Sequence, residues 1–282
     1  MQQPLHTLIQ ITDVHLTDVT PAPHGHDTVA VLENALRAVE DSGVTPSAIV
    51  FTGDLTDHGS PTEYQRLRAV VEPAAARMGA PAVFVAGNHD VRAPLREHLL
   101  GEPASDAPLD HRLRIGDLRV VVLDSSVPGR GYGELDPAQL DWLRAELAEP
   151  APHGTVLALH HPPLPSADPL AAVIPLRRRE QLAAVIEGTD VRAILAGHTH
   201  VVSAGVLAGV PVWTGGAIAG TMHRLAGGGV LRDLAAPAVS RIDVFDDAVI
   251  ITSVPLAAEV LNTLPAGELA ALVERLGAEL PA

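Results

Sequence analysis

The chain has 282 residues, 47% of them hydrophobic but only 2% aromatic, and a formal net charge of −15 at pH 7. That length suits one large α/β layer domain with an aliphatic core, spanning 1–282 with a short helical extension at about 265–282. The acidic balance argues against a nucleic-acid groove, which draws on clustered basic side chains, and the longest basic cluster here is Arg177-Arg178-Arg179.

The sequence contains no cysteine, which removes disulfides, thiolate ligands and a cysteine nucleophile together, so any metal would be held by nitrogen and oxygen. The N-terminal stretch MQQPLHTLIQITDVHL lacks a basic region followed by a continuous apolar one. No segment reaches the roughly 18 apolar residues of a membrane span. A cytoplasmic protein with no membrane span and no nucleic-acid partner is the expectation.

Taken in chain order, apolar or β-branched runs predict strands at 5–11, 47–52, 81–86, 118–124, 155–160, 191–196 and 210–214. Two more, at 240–245 and 248–254, flank Asp246-Asp247 as a hairpin turn. Amphipathic period predicts helices at 27–42, 62–79, 137–149 and 178–188, with Asp27, Ser60 or Pro61, and Asp136-Pro137 as start signals. Strand and helix alternate early and strands dominate later, which predicts mixed sheets flanked by helices, not one doubly wound parallel sheet. The Gly/Ala/Pro-rich segment 225–238 reads as a mobile loop. Beyond Pro265, Leu269, Leu272, Val273, Leu276 and Leu280 keep helical spacing, as an amphipathic helix for docking or dimer contact would.

Five of the strands run into polar clusters: Asp13-Val14-His15, Gly53-Asp54, Gly87-Asn88-His89-Asp90, His160-His161 and Gly197-His198-Thr199-His200. Ligands bind at the C-terminal ends of strands in α/β sheets, so these tips can face one crevice, and each glycine is expected to let the backbone turn sharply there. Singly, each cluster has an ordinary reading as a turn, a polar loop or a surface pair. Together, His, Asp and Asn from five strand ends make the donor set that two adjacent hard-to-borderline cations need. Either His160 or His161 could contribute, because the preceding strand is apolar on both faces. Asp57 and Asp90 read as groups that orient loops or imidazoles. Of the other histidines, His24 and His26 are the candidates for a pocket rim, since they follow Asp13-Val14-His15 closely.

The ordered pattern D-x-H, G-D, G-N-H-[DE], H, G-H-x-H resembles that of the calcineurin-like metallophosphoesterases, over about residues 5 to 255. Within them, VFTGDLTDHG, LDSSVPG and ALHHPPLPS look most like the actinobacterial class III 3′,5′-cyclic nucleotide phosphodiesterases. The resemblance implies an α/β fold of two mixed β-sheets packed face to face and flanked by helices. It implies two divalent or mixed-valence transition metals, Mn and Fe in the first place with Zn or Co also accepted by these donors. One would be held by Asp13, His15, Asp54 and His200 and the other by Asp54, Asn88, His160 and His198, with Asp54 bridging. It favours His160 over His161, and it makes His89 the catalytic histidine beside the metals. A homodimer and a small phosphodiester substrate, a cyclic nucleotide, are implied as well.

Such a pair of cations can activate a shared water for in-line attack on phosphorus and clamp the attacking and leaving oxygens. A formal count of two cations, two carboxylates and one hydroxide leaves about +1 locally, which draws a diester anion despite the acidic protein. Other metallophosphoesterase activities and a non-catalytic scaffold compete with this reading. Against a protein phosphatase, His58 stands where that branch carries a phosphate-binding arginine; against a scaffold, no ligand is missing.

Overall fold

The computed structural model describes residues 2–19, 25, 27–226 and 230–277. In chain order the elements are β1 (His6–Ile11), α1 (Thr28–Asp41), β2 (Ala48–Thr52), α2 (Pro61–Met78), β3 (Ala82–Val85) and α3 (Arg92–Pro94), the last running into a π-helical turn, Leu95–Leu100. Then come β4 (His111–Ile115), β5 (Leu118–Val122), α4 (Pro137–Leu147), β6 (Thr155–Ala158), α5 (Pro169–Val173), α6 (Arg179–Ile186) and β7 (Val191–Ala196). The chain continues through β8 (Ser203–Leu207), β9 (Val210–Thr214), β10 (Thr221–Met222), β11 (Asp233–Leu234), β12 (Ala238–Val244), β13 (Val249–Pro255) and α7 (Ala266–Gly277).

Two mixed sheets result, one ordered β13-β12-β1-β2-β3 and the other β4-β5-β6-β7-β9-β8. In the first, β1, β2 and β3 run parallel while β12 and β13 are antiparallel. In the second, β5, β6, β7 and β9 run parallel, with antiparallel β4 and β8 at its edges.

The alternation of side chains along each strand explains the layers. Leu8, Val50 and Val85 of the first sheet share one buried cluster with Val120, Val156 and Leu195 of the second, so the two sheets pack face to face. On the far side of the first sheet, Ile9, Ile11 and Phe51 pack with Leu32 and Leu36 of α1 and Leu67 of α2. On the far side of the second, Val121, Leu157 and Ile194 pack with Leu140 and Leu143 of α4 and Leu182 of α6. Central strands covered on both faces read as unbroken apolar runs, which is why the sequence shows them clearly.

Helix starts follow the expected signals. Asp27 accepts from the backbone N–H of Val29 and Ala30 at 3.0 and 3.2 Å. Ser60 with Glu63, and Asp136 with Gln139, form capping boxes ahead of prolines in the first turns of α2 and α4. The Asp246-Asp247 hairpin is present, closed by Phe245 N–H donating to the Ala248 carbonyl at 2.8 Å.

Several elements differ from the sequence expectation. The segment 225–238 is not all loop: Asp233–Leu234 pairs antiparallel with Thr221–Met222, and β12 already begins at Ala238. The edge strands β4 and β8 carry alternating or exposed polar residues, HRLRI and SAGVL, and acquire strand geometry from the neighbours they pair with. His24 and His26 lie outside the described residues. α7 occupies the expected C-terminal stretch, with Leu269, Val273 and Leu276 exposed, and among the described residues no helix is long and apolar enough to cross a membrane.

Candidate metal centre

All five polar clusters lie at the C-terminal ends of parallel strands: β1, β2 and β3 of one sheet, β6 and β7 of the other. Asp13, His15, Asp54, His198 and His200 have positive φ, between 44° and 73°. For non-glycine residues such backbone costs on the order of 1–3 kcal/mol each and persists only where the surroundings enforce it. The sharp turns are therefore made by the donor residues themselves.

The motif glycines serve a different purpose from the one expected of all three. Gly53 does have positive φ, 90°, but Gly87 and Gly197 do not. A Cβ at Gly53 would stand 2.3 Å from His160 Nδ1, one at Gly87 2.2 Å from Asp54 Oδ1, and one at Gly197 2.0 Å from Thr12 Oγ1 and 2.7 Å from Asp13 Oδ2. Any side chain there would displace a donor, so the glycines are required by close approach.

Asp54 is the centre of the cluster. Its Oδ2 lies 3.5 Å from His15 Nε2 and 3.3 Å from His160 Nε2, while its Oδ1 accepts from the His89 backbone N–H at 2.9 Å. On one side, His15 Nε2 and His200 Nε2 approach to 3.1 Å, and His200 Nε2 lies 3.6 Å from Asp13 Oδ1. On the other, His160 Nε2 lies 3.2 Å from Asn88 Oδ1, and the His160 and His198 rings meet edge to face at 5.0 Å. None of the ion pairs among the described residues joins Asp13 or Asp54 to an arginine.

The opposite edges of these imidazoles are anchored. His15 Nδ1 is 3.0 Å from Asp57 Oδ1, His160 Nδ1 donates to the Thr52 carbonyl at 2.9 Å, and His198 Nε2 donates to the Ile174 carbonyl at 2.8 Å. This is how proteins commonly fix metal-binding histidines, one nitrogen tied to a carboxylate or carbonyl and the other aimed inward. It leaves His198 its Nδ1 for the centre. The donor set and its anchoring fit a pair of cations.

His161, by contrast, has Nδ1 at 2.9 Å from Ser125 Oγ and Nε2 donating to the Gly131 carbonyl at 3.2 Å. Asp90 binds the loops together, accepting from the backbone N–H of Gly87 at 2.8 Å and Leu55 at 3.1 Å and from the Tyr64 hydroxyl at 3.0 Å. His89 sits at the rim, 41% exposed, with Nδ1 donating to the Asp57 carbonyl at 2.9 Å. Sequence reading missed Gln10, which is buried and donates from one amide nitrogen to Thr52 Oγ1 at 2.9 Å and the Ala196 carbonyl at 2.8 Å. It thereby links the strands that carry Asp54 and His198; a lone amide inside the apolar run LIQI was its only signal.

The charges respond to this crowding. Burial raises the Asp54 carboxyl, but His160, by charge and hydrogen bond, and then His15 and His89 hold it well below the ordinary carboxylate range. Burial lowers the His160 imidazole, yet Asp54 outweighs it and pushes the group up to about 9. Burial, reinforced by the charge of His160, takes His198 down to about 4. Without cations, a proton on His160 stands against the Asp54 carboxylate; metal binding would release it.

Dimetal and purple acid phosphatases share this architecture. The fold aligns with a dimetal phosphatase of Danio rerio at a TM-score of 0.68 and 15% identity, covering 92% of this chain and 98% of that one. It aligns with a purple acid phosphatase of yellow lupin at 0.65 and 14%, covering 90% of this chain and 52% of that one.

The family profile of calcineurin-like phosphoesterases matches residues 6–202, and the chain belongs to that family. Among its relatives, a "Probable cyclic nucleotide phosphodiesterase" of Rhodococcus erythropolis is 44% identical over 260 residues, 92% of this chain and 86% of the relative. A cAMP/cGMP dual specificity phosphodiesterase of Mycobacterium tuberculosis is 45% identical over 256 residues, 90% and 80% respectively.

Proposed function

We propose that this chain is a metal-dependent phosphodiesterase that hydrolyses cyclic nucleotides. The observation that carries the reading is the position of Asp54 Oδ2, within 3.5 Å of imidazole nitrogens on both sides, where one carboxylate oxygen can serve two cations. The relatives named as cyclic nucleotide phosphodiesterases support the substrate class. Asp13, His15, Asp54 and His200 would hold one cation and Asp54, Asn88, His160 and His198 the other. Bound there, the pair supplies Lewis-acid charge at the phosphoryl oxygens and an activated water. Mn and Fe are the metals we assign, with Zn or Co suited to the same donors; we also assign a cytoplasmic homodimer.

His89 completes the reaction from this chain's side. Because its Nδ1–H donates to the Asp57 carbonyl, the protonated ring presents Nε2–H at the rim. As water oxygen bonds to phosphorus and the bond to the ribose oxygen breaks, Nε2 passes its proton to that leaving oxygen. A nitrophenolate leaves well without such help.

Elemental analysis of gently purified, Mn-saturated protein should give two metals per chain; one would sink the dinuclear centre. A panel of 3′,5′-cyclic AMP, 2′,3′-cyclic AMP, a bis-aryl phosphate and an aryl monophosphate should show cyclic diesters cleaved in preference to the monoester. His89→Ala should keep its metals and lose about 10² to 10⁴ in turnover of 3′,5′-cyclic AMP, with a much smaller loss on bis(p-nitrophenyl) phosphate. Equal fractional losses would reject the proton-transfer role. Light scattering at micromolar concentration tests the dimer.

A further inference from the structure

The basic cluster Arg177-Arg178-Arg179 supplies no ligand to the metal centre, yet it stands beside it. Two segments, 131–133 and 174–177, form the wall next to His160 and His198. His198 Nε2 donates to the Ile174 carbonyl at 2.8 Å, and His161 Nε2 donates to the Gly131 carbonyl at 3.2 Å. The His161 ring lies 4.9 Å from that of His160 and 4.4 Å from that of His198. The two segments also hold each other: Gly133 N–H donates to the Pro175 carbonyl at 3.0 Å, and Arg177 N–H donates to the Gly133 carbonyl at 2.8 Å.

On this frame Arg177 lies over the half-buried ring of Tyr132, with Cζ 3.4 Å from the ring centroid. The contact covers one face of the guanidinium. Arg177 is otherwise exposed, which leaves the other face to solvent. In a chain of net charge −15, no carboxylate pairs with it among the described residues, whereas its neighbour Arg178 takes Glu134 at 3.0 Å. Arg178 also has positive φ, 54°, and turns the chain sharply into α6 just after Arg177. Arg177 follows Ile174 by three residues, so its Cα lies at most about 11 Å from the residue that anchors His198.

The chemistry of this platform limits what it can take. A guanidinium is planar and weakly hydrated, and it stacks on aromatic rings and on the faces of nucleobases. Binding a second phosphate would use its N–H edges, but a cyclic nucleotide has one phosphate, and the metal centre takes that. What remains of such a substrate is a ribose and a flat base.

We infer that the Arg177–Tyr132 stack receives the base of the nucleotide whose phosphate is held at the metal centre, with the base lying on the open face of the guanidinium. The inference rests on the proposed cyclic nucleotide activity and names the residue that gives it affinity for the base. Stacking reads a π-face and not an edge, so adenine and guanine are held alike.

Arg177→Gln and Arg177→Lys test it in Mn-loaded, full-length protein. Both change an exposed side chain, and lysine keeps the charge while lacking the plane. The substrates are 3′,5′-cyclic AMP, 3′,5′-cyclic GMP and the 3′,5′-cyclic phosphate of methyl riboside, which has the same reacting ring and no base. Both variants should raise KM for the two cyclic nucleotides by at least about 5-fold, the lower end for base stacking, with kcat within about 2-fold of wild type. The baseless substrate should be unaffected.

A wild-type KM in Arg177→Lys would assign the effect to charge attraction and overturn the stack. So would an unchanged KM for the cyclic nucleotides in Arg177→Gln, or an equal loss on the baseless substrate. Each of these outcomes leaves the phosphodiesterase standing. A wild-type protein that cleaves bis(p-nitrophenyl) phosphate but none of the three cyclic esters would overturn the parent reading, and this one with it.

Discussion

The two ends of the two-sheet sandwich both bury charge, and they do so in opposite ways. At the N-terminal end of its strands, Arg119 of β5 is almost fully buried and meets Asp190, just before β7, through two bonds of 2.8 and 2.9 Å. Its remaining donors reach Thr155 Oγ1 at 2.8 Å, the Glu149 carbonyl at 3.0 Å and the Glu146 carbonyl, while Asp190 also accepts from Ala151 N–H at 2.7 Å. Every charge there has an opposite charge and a full set of bonds.

At the C-terminal end, two buried carboxylates and four imidazoles crowd together on strained backbone with no arginine among them. The first arrangement is complete in the folded chain. The second is complete only with cations, which separates a structural ion pair from a site.

The largest effect expected of breaking this contrast is at its centre. If Asp54 bridges two cations as proposed, Asp54→Ala removes a ligand from both, so turnover should fall by more than about 10²-fold, beyond the range for losing an outer partner of a metal ligand. Metal content should fall further than in Asn88→Ala. A variant that retained two metals and turnover would show that Asp54 bridges nothing.

Asp190→Ala should do the reverse. It strands a buried guanidinium, and urea denaturation should show a loss of about 3–5 kcal/mol with metal content and kcat of the folded protein unchanged. A third measurement joins the two ends: Mn at 100 times its Kd should stabilise the wild type by about 2.7 kcal/mol for each site it fills. The Asp190 variant should gain as much and Asp54→Ala far less. Asp57→Asn, which weakens the anchor of His15 at 3.0 Å, should cost about 10- to 100-fold in metal affinity.

The smallest expected effect sharpens what an incompletely paired carboxylate does. Burial pushes Asp110 up to about 6, outweighing the bonds it accepts from Asp124 N–H at 2.8 Å and Gln139 Nε2 at 2.9 Å. The folded protein thus holds this proton more tightly than the unfolded chain, whose aspartates titrate near about 3.9. Its contribution to stability is fully present below that value and is lost as pH rises through about 6. Solvent screens much of that cost because Asp110 is only partly buried, so Asp110→Asn, which keeps an acceptor oxygen and removes the charge, should be more stable than wild type by about 1 kcal/mol at pH 8, an advantage that disappears by pH 4. Denaturant midpoints at the two pH values check the sign.

The sequence by itself determined the candidate donor set, its order along the chain and the strands that carry it. Those strands are buried on both faces and show as apolar runs, and the motif residues directly follow them, so both signals are local. Helix starts at Asp27, Ser60 and Asp136 were legible for the same reason, since a cap bonds within three residues of itself.

Only the tertiary structure decided which atoms converge. His160 and His161 are equivalent in an apolar strand, and what separates them is that Thr52 and Asn88 approach one while Ser125 and Gly131 approach the other. The positive φ of Asp13, His15, Asp54, His198 and His200 is likewise held from outside: aspartate and histidine tolerate that backbone better than most residues, yet they adopt it rarely enough that the surroundings must enforce it. Gly87 and Gly197 look like turn residues in the sequence and are spacing residues in the fold. Edge strands β4 and β8 pair with the next strand in sequence across two-residue turns and are hard to read only because their own residues are polar or small. The Arg119–Asp190 pair joins residues 71 apart, and packing between distant segments leaves no periodic mark on either of them.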